Sequence, residues 1–181
     1  VTTKEAGRVG KILVHEGDMV QAGQILAQMD VVTLQAELAK AEADVSEQEA
    51  KIHEVEADIA KAESLLRLAE VEFRRESGLL ARKATSREEY DIKETIVKSR
   101  KAALDGEKAR LITSRKSVDA AKASAATIRT RIDDMTLKST VAGRVLYRLA
   151  EEGEVLGGGG KVLTLVNLGD VYMEIYLPAQ Q

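Results

Sequence analysis

The sequence predicts an α+β protein in which one small β-domain, built from two separate stretches of chain, is interrupted by a long antiparallel α-helical hairpin. Three observations predict this fold class. A motif that begins at Ala6 recurs at Ala142. Between the two copies, apolar residues follow the seven-residue period of a coiled coil. Charged residues make up 31% of the chain and aromatic residues only 3%, a composition that suits long helices better than a large globular core.

The β-domain is predicted from the repeated motif. Residues 6–26 read AGRVGKILVHEGDMVQAGQIL, and residues 142–163 read AGRVLYRLAEEGEVLGGGGKVL. Each copy has an acidic residue, Glu16 or Glu152, eight positions after its arginine, and we interpret the second copy as having one extra residue in its glycine turn. Residues that favour strands alternate with glycine turns, which predicts a β-hairpin in each copy. Because a lone hairpin is marginal in water, we expect the copies to pair in one small sandwich.

The segment between the motifs, residues 31–135, has a helical period. From residue 31 to residue 80, positions spaced alternately three and four apart are apolar, except for Gln48 and Glu76. That spacing predicts one long helix with a continuous apolar seam. Acid-first pairs four residues apart support the helix; they are Glu47–Lys51, Glu63–Arg67 and Glu70–Arg74.

A second helix is predicted to start at Ser86, because Ser86 and Glu89 have the spacing of a capping box. From Tyr90 to Ile132 every seventh residue is apolar, but the companion seam positions are weaker and include Lys93, Arg100, Glu107 and Ser114. We therefore expect a turn at about residues 76–87, with arms of roughly 50 residues and roughly 75 Å each. The distal half is thinly packed, which predicts that identical neighbours stabilise it.

The two ends of the chain also carry predictions. Alternation in VYMEIYLP, residues 171–178, predicts the first strand of a further β-domain. The chain begins at Val1 rather than Met, so we expect an N-terminus that has been processed or shortened. No apolar run approaches the ~20 residues that span a bilayer.

A split β-motif separated by a coiled-coil hairpin resembles the periplasmic adaptor, or membrane fusion, proteins of the haemolysin D type, whose β-domain is lipoyl-like. The resemblance covers essentially the whole chain and is most specific at the turn, residues 75–91, RESGLLARKATSREEYD. Adaptors that engage TolC-like outer-membrane channels carry an Arg, a Leu four residues on and a Ser seven further. Here these are Arg75, Leu79 and Ser86. The resemblance implies a docking role for all three: Arg75 would donate to acceptors on a channel rim, and Leu79 would fill an apolar slot.

The resemblance implies a non-enzymatic adaptor of a tripartite efflux or type I secretion system in the periplasm. It assigns residues 1–30 plus 136–169 to a lipoyl-like β-sandwich, residues 31–135 to the hairpin and residues 170–181 to the start of a truncated β-barrel domain. Expected partners are an outer-membrane TolC-like channel, an inner-membrane transporter (ABC or proton-driven) and identical copies, commonly a hexamer in this family. A segment outside this chain would tether it to the inner membrane. Unlike most adaptors, this chain has no proline shortly before the second motif.

Two alternatives come from other functional classes. One is a coiled-coil scaffold or chaperone-like hairpin protein without a channel partner, in which Ser86 would act as a helix cap only. Charge reversal at Arg75 would distinguish the two, because it should abolish export and channel binding in an adaptor and leave a scaffold unaffected. A biotinyl or lipoyl carrier shares the half-motifs but needs a lysine in the β-turn, about where Thr33 stands, and no lysine occurs between Lys11 and Lys40. We therefore expect no covalent cofactor.

Composition argues against further classes of function. The chain has no cysteine for disulfides or zinc–thiolate sites, and its net charge of −3, with both signs interspersed, argues against nucleic-acid binding. The glycines at 157–160 precede Lys161 but lack the rest of a phosphate loop. The histidines are His15 and His53, and the carboxylates are spread along the helices. We predict no catalytic, metal or cofactor site.

Overall fold

The computed structural model describes residues 1–167, and the strand predicted at 171–178 lies outside the described residues. The elements are β1 Gly7–Ile12, β2 Met19–Val20, β3 Ile25–Met29, α1 Val32–Ala81, α2 Arg87–Asp134, β4 Thr136–Lys138, β5 Gly143–Arg148, β6 Val155–Leu156 and β7 Leu163–Val166. The combination of antiparallel sheets with a long two-helix hairpin confirms the predicted fold class. The described residues divide into two compact units, one made of Val1–Ala39 with residues 126–167, the other of Lys40–Ala125.

In the first unit, strands from both motifs share sheets. One sheet has the order β4-β3-β1-β6, and another has the order β2-β5-β7. Strand β1 pairs with β6, and β2 pairs with β5, so each sheet joins the beginning of the chain to its later part. The core between them contains side chains that are fully buried: Val9, Leu26, Val145, Val162 and Leu163. The expected pairing of the two copies is confirmed.

Equivalent hydrogen bonds lock the two motifs together in both directions. A carboxylate oxygen of Glu152 accepts a hydrogen bond from the Ile12 amide at 3.0 Å, and one of Glu16 accepts from the Arg148 amide at 2.9 Å. Glu16 and Glu152 are equivalent, since each stands eight residues after the arginine of its motif. Ile12 and Arg148 are equivalent too, since each stands four residues after that arginine. The recurring acidic residue is therefore a structural link between the halves.

The second motif does not contain the extra residue expected in its glycine turn, and that interpretation was wrong. Gly23 and Gly159 both have positive φ, 84° and 82°, and each stands at the same distance from its own arginine. Three residues later, Leu26 and Val162 are both 0% exposed. Because four consecutive glycines stand at 157–160, the sequence alone does not show which of them is equivalent to Gly23. The backbone has one left-handed residue at this point of the turn, a conformation that glycine adopts without steric cost.

In the second unit, α1 and α2 pack along the predicted seam. Each predicted seam position of α1 from 41 to 80 is buried or half-buried, and among those of α2 from 90 to 125 only Arg100 is exposed. The buried seam residues are Ala41, Val55, Ala69, Leu104, Val118 and Ala125. The seven-residue apolar period is therefore the contact between the two helices.

Ion pairs between the helices show which side positions face each other. Asp58 and Arg110 both precede a seam residue and lie 3.8 Å apart. Glu49 and Lys122 both follow a seam residue and lie 2.8 Å apart. Asp58 and Arg110 are each the last of the three residues between seam positions that lie four apart, and such residues meet on one side of the hairpin. Glu49 and Lys122 are each the first of three such residues, and these meet on the other side, as in an antiparallel coiled coil. The remaining positions point away from the partner helix.

Candidate functional site: the hairpin tip

The hairpin turn begins with a C-terminal cap on α1. The Ala84 amide donates to the Leu79 carbonyl at 2.9 Å, and the Lys83 amide donates to the Leu80 carbonyl at 2.9 Å. These are the two hydrogen bonds of a Schellman motif. Lys83 occupies its left-handed position, with φ 57°, where glycine is usual. No glycine marks this cap in the sequence, because the nearest one, Gly78, lies inside α1.

Ser86 caps the start of α2, as predicted. Its hydroxyl accepts a hydrogen bond from the Glu89 amide at 3.1 Å. Glu88 and Glu89 occupy the first turn, where a helix stabilises negative charge. The capping role of Ser86 is confirmed, and its part in docking stays a prediction.

Arg75 and Leu79 lie on the exposed surface of the last turns of α1. Being four residues apart on a helix, they share one face. The Leu79 side chain is 36% exposed. Among residues 1–167, Arg75 forms no ion pair, so its guanidinium group is free to meet a partner. The structure thus brings Arg75 and Leu79 together on one face, with Ser86 beyond the turn.

Aromatic contacts brace the tip from behind. The rings of Phe73 and Tyr90 lie 5.1 Å apart between centroids, which joins the end of α1 to the start of α2. The Arg87 guanidinium stands 4.9 Å from the Tyr90 ring centroid and 3.1 Å from the Asp91 carboxylate. Sequence reasoning missed this brace, although the single phenylalanine of the chain lies on the predicted seam close to the turn.

Lys93 fills one of the seam positions predicted to be weak. Its ammonium group donates to the Glu72 carboxylate at 3.1 Å. This hydrogen bond, together with the charge attraction, raises the pKa of Lys93 above its ordinary value of 10.5. The weak seam position therefore holds a charged cross-link between the helices at neutral pH.

Within 1–167, no group of three or more His, Asp or Glu side chains is arranged to hold a metal ion. His15 lies 3.7 Å from Asp18, and His53 lies 3.3 Å from Glu56, both on the surface. In this part of the chain, no helix combines the length and apolarity required to span a bilayer.

Comparison with known proteins relates the hairpin to one family. Residues 51–133 match the family described as RND MFP, alpha-helical hairpin domain. No curated protein matches the chain.

Solved structures share the fold at low identity. MacA from Actinobacillus actinomycetemcomitans is 21% identical with a TM-score of 0.68, over 93% of this chain and 48% of MacA. The membrane fusion protein Spr0693 from Streptococcus pneumoniae R6 is 22% identical with a TM-score of 0.59, over 90% of this chain and 57% of Spr0693. The periplasmic adaptor protein EmrA is 16% identical with a TM-score of 0.57, over 92% of this chain and 71% of EmrA. The chain spans about half the length of MacA and of Spr0693.

Proposed function

We propose, from the match of residues 51–133 to the α-helical hairpin domain of RND membrane fusion proteins, that this chain is part of a non-enzymatic periplasmic adaptor. The adaptor serves a tripartite efflux or type I secretion system. It bridges an inner-membrane transporter, ABC or proton-driven, to a TolC-like outer-membrane channel. The hairpin tip is the channel-docking end.

The domain assignment belongs to the same proposal. Residues 1–30 and 136–169 form the lipoyl-like β-domain, residues 31–135 form the hairpin, and residues 170–181 begin a β-barrel domain. The transporter contacts parts of the adaptor outside this chain, and one of those parts tethers it to the inner membrane. Copies of the adaptor assemble with one another, as a hexamer.

The observation that carries the docking role is the exposed pair Arg75 and Leu79 on a braced tip. An arginine presents five N–H donors in a fixed fork, which suits carboxylates and backbone carbonyls. Leu79, one turn away, supplies an apolar contact that excludes water from the hydrogen bonds between Arg75 and its partner. The Phe73–Tyr90 contact and the two helix caps hold the tip in one conformation before binding, which lowers the entropy lost on docking.

Charge reversal at the tip tests the proposal. Arg75→Glu should weaken binding to the purified cognate channel about tenfold or more, and reduce export, because the reversed side chain repels the acceptors that Arg75 meets. The helix content and thermal midpoint should not change, since Arg75 is exposed and forms no ion pair among the described residues.

Lys101→Glu is the matched control, because Lys101 is an exposed cation of α2 away from the tip. It should leave channel binding and export as they are. Unchanged binding and export in Arg75→Glu would contradict docking through this surface and favour the scaffold alternative.

A further inference from the structure

The left-handed position of the hairpin turn holds a residue that its backbone does not favour. Lys83 has φ 57° and is the one non-glycine residue with positive φ among residues 1–167. Glycine usually fills this position of a Schellman motif, and asparagine sometimes does. Because a Cβ atom raises the energy of the left-handed conformation, the helix cap does not by itself explain a lysine here.

A side chain kept on an unfavourable backbone suggests a use for that side chain. Lys83 is exposed, and among residues 1–167 its ammonium group forms no ion pair or side-chain hydrogen bond. Glu88 and Glu89, the first acidic residues after the turn, accept nothing from it and stand in the first turn of α2, where the helix stabilises them. The charge of Lys83 is therefore free to meet another molecule.

The turn around Lys83 is positively charged. From residue 77 to residue 87 there is no acidic residue, and there are three cations, Arg82, Lys83 and Arg87. The Arg87 guanidinium is already engaged, 3.1 Å from the Asp91 carboxylate. Arg82 is exposed and, like Lys83, has no ion-pair partner in the described part of the chain. The free positive charge at residues 82 and 83 favours an acidic partner surface.

We propose that Lys83 is a specificity-determining residue of channel docking, and that its ammonium group binds the carboxylate of an Asp or Glu side chain on the channel. Lys83 has this role only if the tip docks a channel, so the inference rests on the proposed function. Carboxylates are the anionic groups that Asp and Glu side chains present at neutral pH. Lys83 thus adds a contact from the turn itself to those of Arg75 and Leu79.

The chemistry of lysine suits this position. An ammonium group is a compact charge with three donors on a flexible stem, so it can reach a carboxylate without the fixed geometry that the fork of an arginine requires. A channel without an acidic residue facing the turn would leave the ammonium group unpaired in the contact, at a cost in affinity. Lys83 therefore selects channels that carry a carboxylate at this place.

Binding of the full-length protein to the purified cognate channel, measured at several salt concentrations, tests the role of Lys83. Lys83→Gly should bind about fivefold more weakly, as expected for loss of one exposed charge pair, although the same change relieves the strained backbone. Lys83→Gln keeps the strain and should bind as weakly, whereas Lys83→Arg should bind like the wild type. The difference between wild type and Lys83→Gln should shrink as salt rises, because exposed charges are screened.

Lys101→Gln is the matched control, because it neutralises an exposed lysine of α2 away from the tip. It should bind the channel like the wild type. A loss of binding in Lys101→Gln as large as that in Lys83→Gln would overturn the specific contact, since general charge attraction would then explain both.

Carbodiimide coupling of the wild-type complex tests for the carboxylate, because this reagent joins an amine to a carboxylate that it contacts. Peptide mapping by mass spectrometry should find Lys83 joined to an Asp or Glu of the channel, and Lys101 joined to none. Coupling of the channel to Lys101 and not to Lys83 would overturn the contact.

The binding series separates failure of this contact from failure of tip docking. Equal binding by wild type, Lys83→Gly and Lys83→Gln, with weak binding by Arg75→Glu, would overturn the role of Lys83 and leave the proposed function standing. Unchanged binding by Arg75→Glu as well would overturn both.

Discussion

At the scale of single residues, the tip depends on a lysine in an unfavourable conformation. Lys83 is left-handed, with φ 57°, a conformation that costs a non-glycine residue roughly 1–2 kcal/mol. The two carbonyl hydrogen bonds of the C-terminal cap hold it there. A side chain that protrudes from the turn is thus kept at the hairpin tip at some cost in stability.

Replacing this lysine by glycine should stabilise the hairpin. Lys83→Gly removes the steric cost of the left-handed backbone, offset in part by the greater freedom of glycine in the unfolded chain, so we expect a gain of about 0.5–1 kcal/mol. Urea unfolding measures it as a higher midpoint with an unchanged slope. Lys101→Gly, in the middle of α2, should instead lose about 1 kcal/mol. A loss of stability in both variants would contradict the left-handed cap.

At the scale of secondary-structure elements, the glycine of each repeated motif meets a different neighbour. A Cβ atom added at Gly143 would lie 2.4 Å from the Val166 carbonyl oxygen, in the strand paired with β5. One added at Gly7 would lie 3.3 Å from the terminal methyl of Met29. A backbone carbonyl in a sheet cannot move aside without breaking the pairing, whereas the end of a methionine side chain can.

The two glycines therefore differ in their tolerance of alanine. Gly143→Ala should lose about 1–3 kcal/mol of unfolding free energy, the usual cost of forcing atoms into a filled space. Gly7→Ala, at the same motif position, should lose clearly less. Thermal and urea unfolding of both variants measures the difference. Equal losses would show that Gly143 and Val166 do not approach as closely as described.

Much of the element pattern could be predicted from the sequence because it is periodic. The seven-residue series located the seam, and Ser86 with Glu89 located the start of α2. The cap at Lys83 could not be placed, because it lacks the glycine that usually marks such a cap. The left-handed residue at Gly159 could not be placed either, because it is one of four consecutive glycines. Ion pairs were also predicted for Glu63–Arg67 and Glu70–Arg74. Of the three predicted acid-first pairs, only Glu47–Lys51 forms among residues 1–167, since sequence spacing shows which pairs are possible and not which ones form.

At the scale of the whole molecule, the chain uses one repeated motif twice to hold both ends of a single insertion. The Glu16 and Glu152 carboxylates each accept from an amide of the other motif, so neither half is complete alone. At the far end of the hairpin, the tip exposes Arg75 and Leu79 on one helix face. On the proposed function, this face binds the channel.

Site-specific photo-crosslinking in living cells tests the docking of the tip most directly. On the proposed function, a photoreactive residue at position 79 should crosslink this chain to an outer-membrane protein that mass spectrometry identifies as a TolC-like channel. The same residue at position 101, an exposed position of α2 away from the tip, should give no crosslink to the channel. Crosslinks to the channel from position 101 but not from position 79, or none from 79 in cells that export normally, would contradict the account.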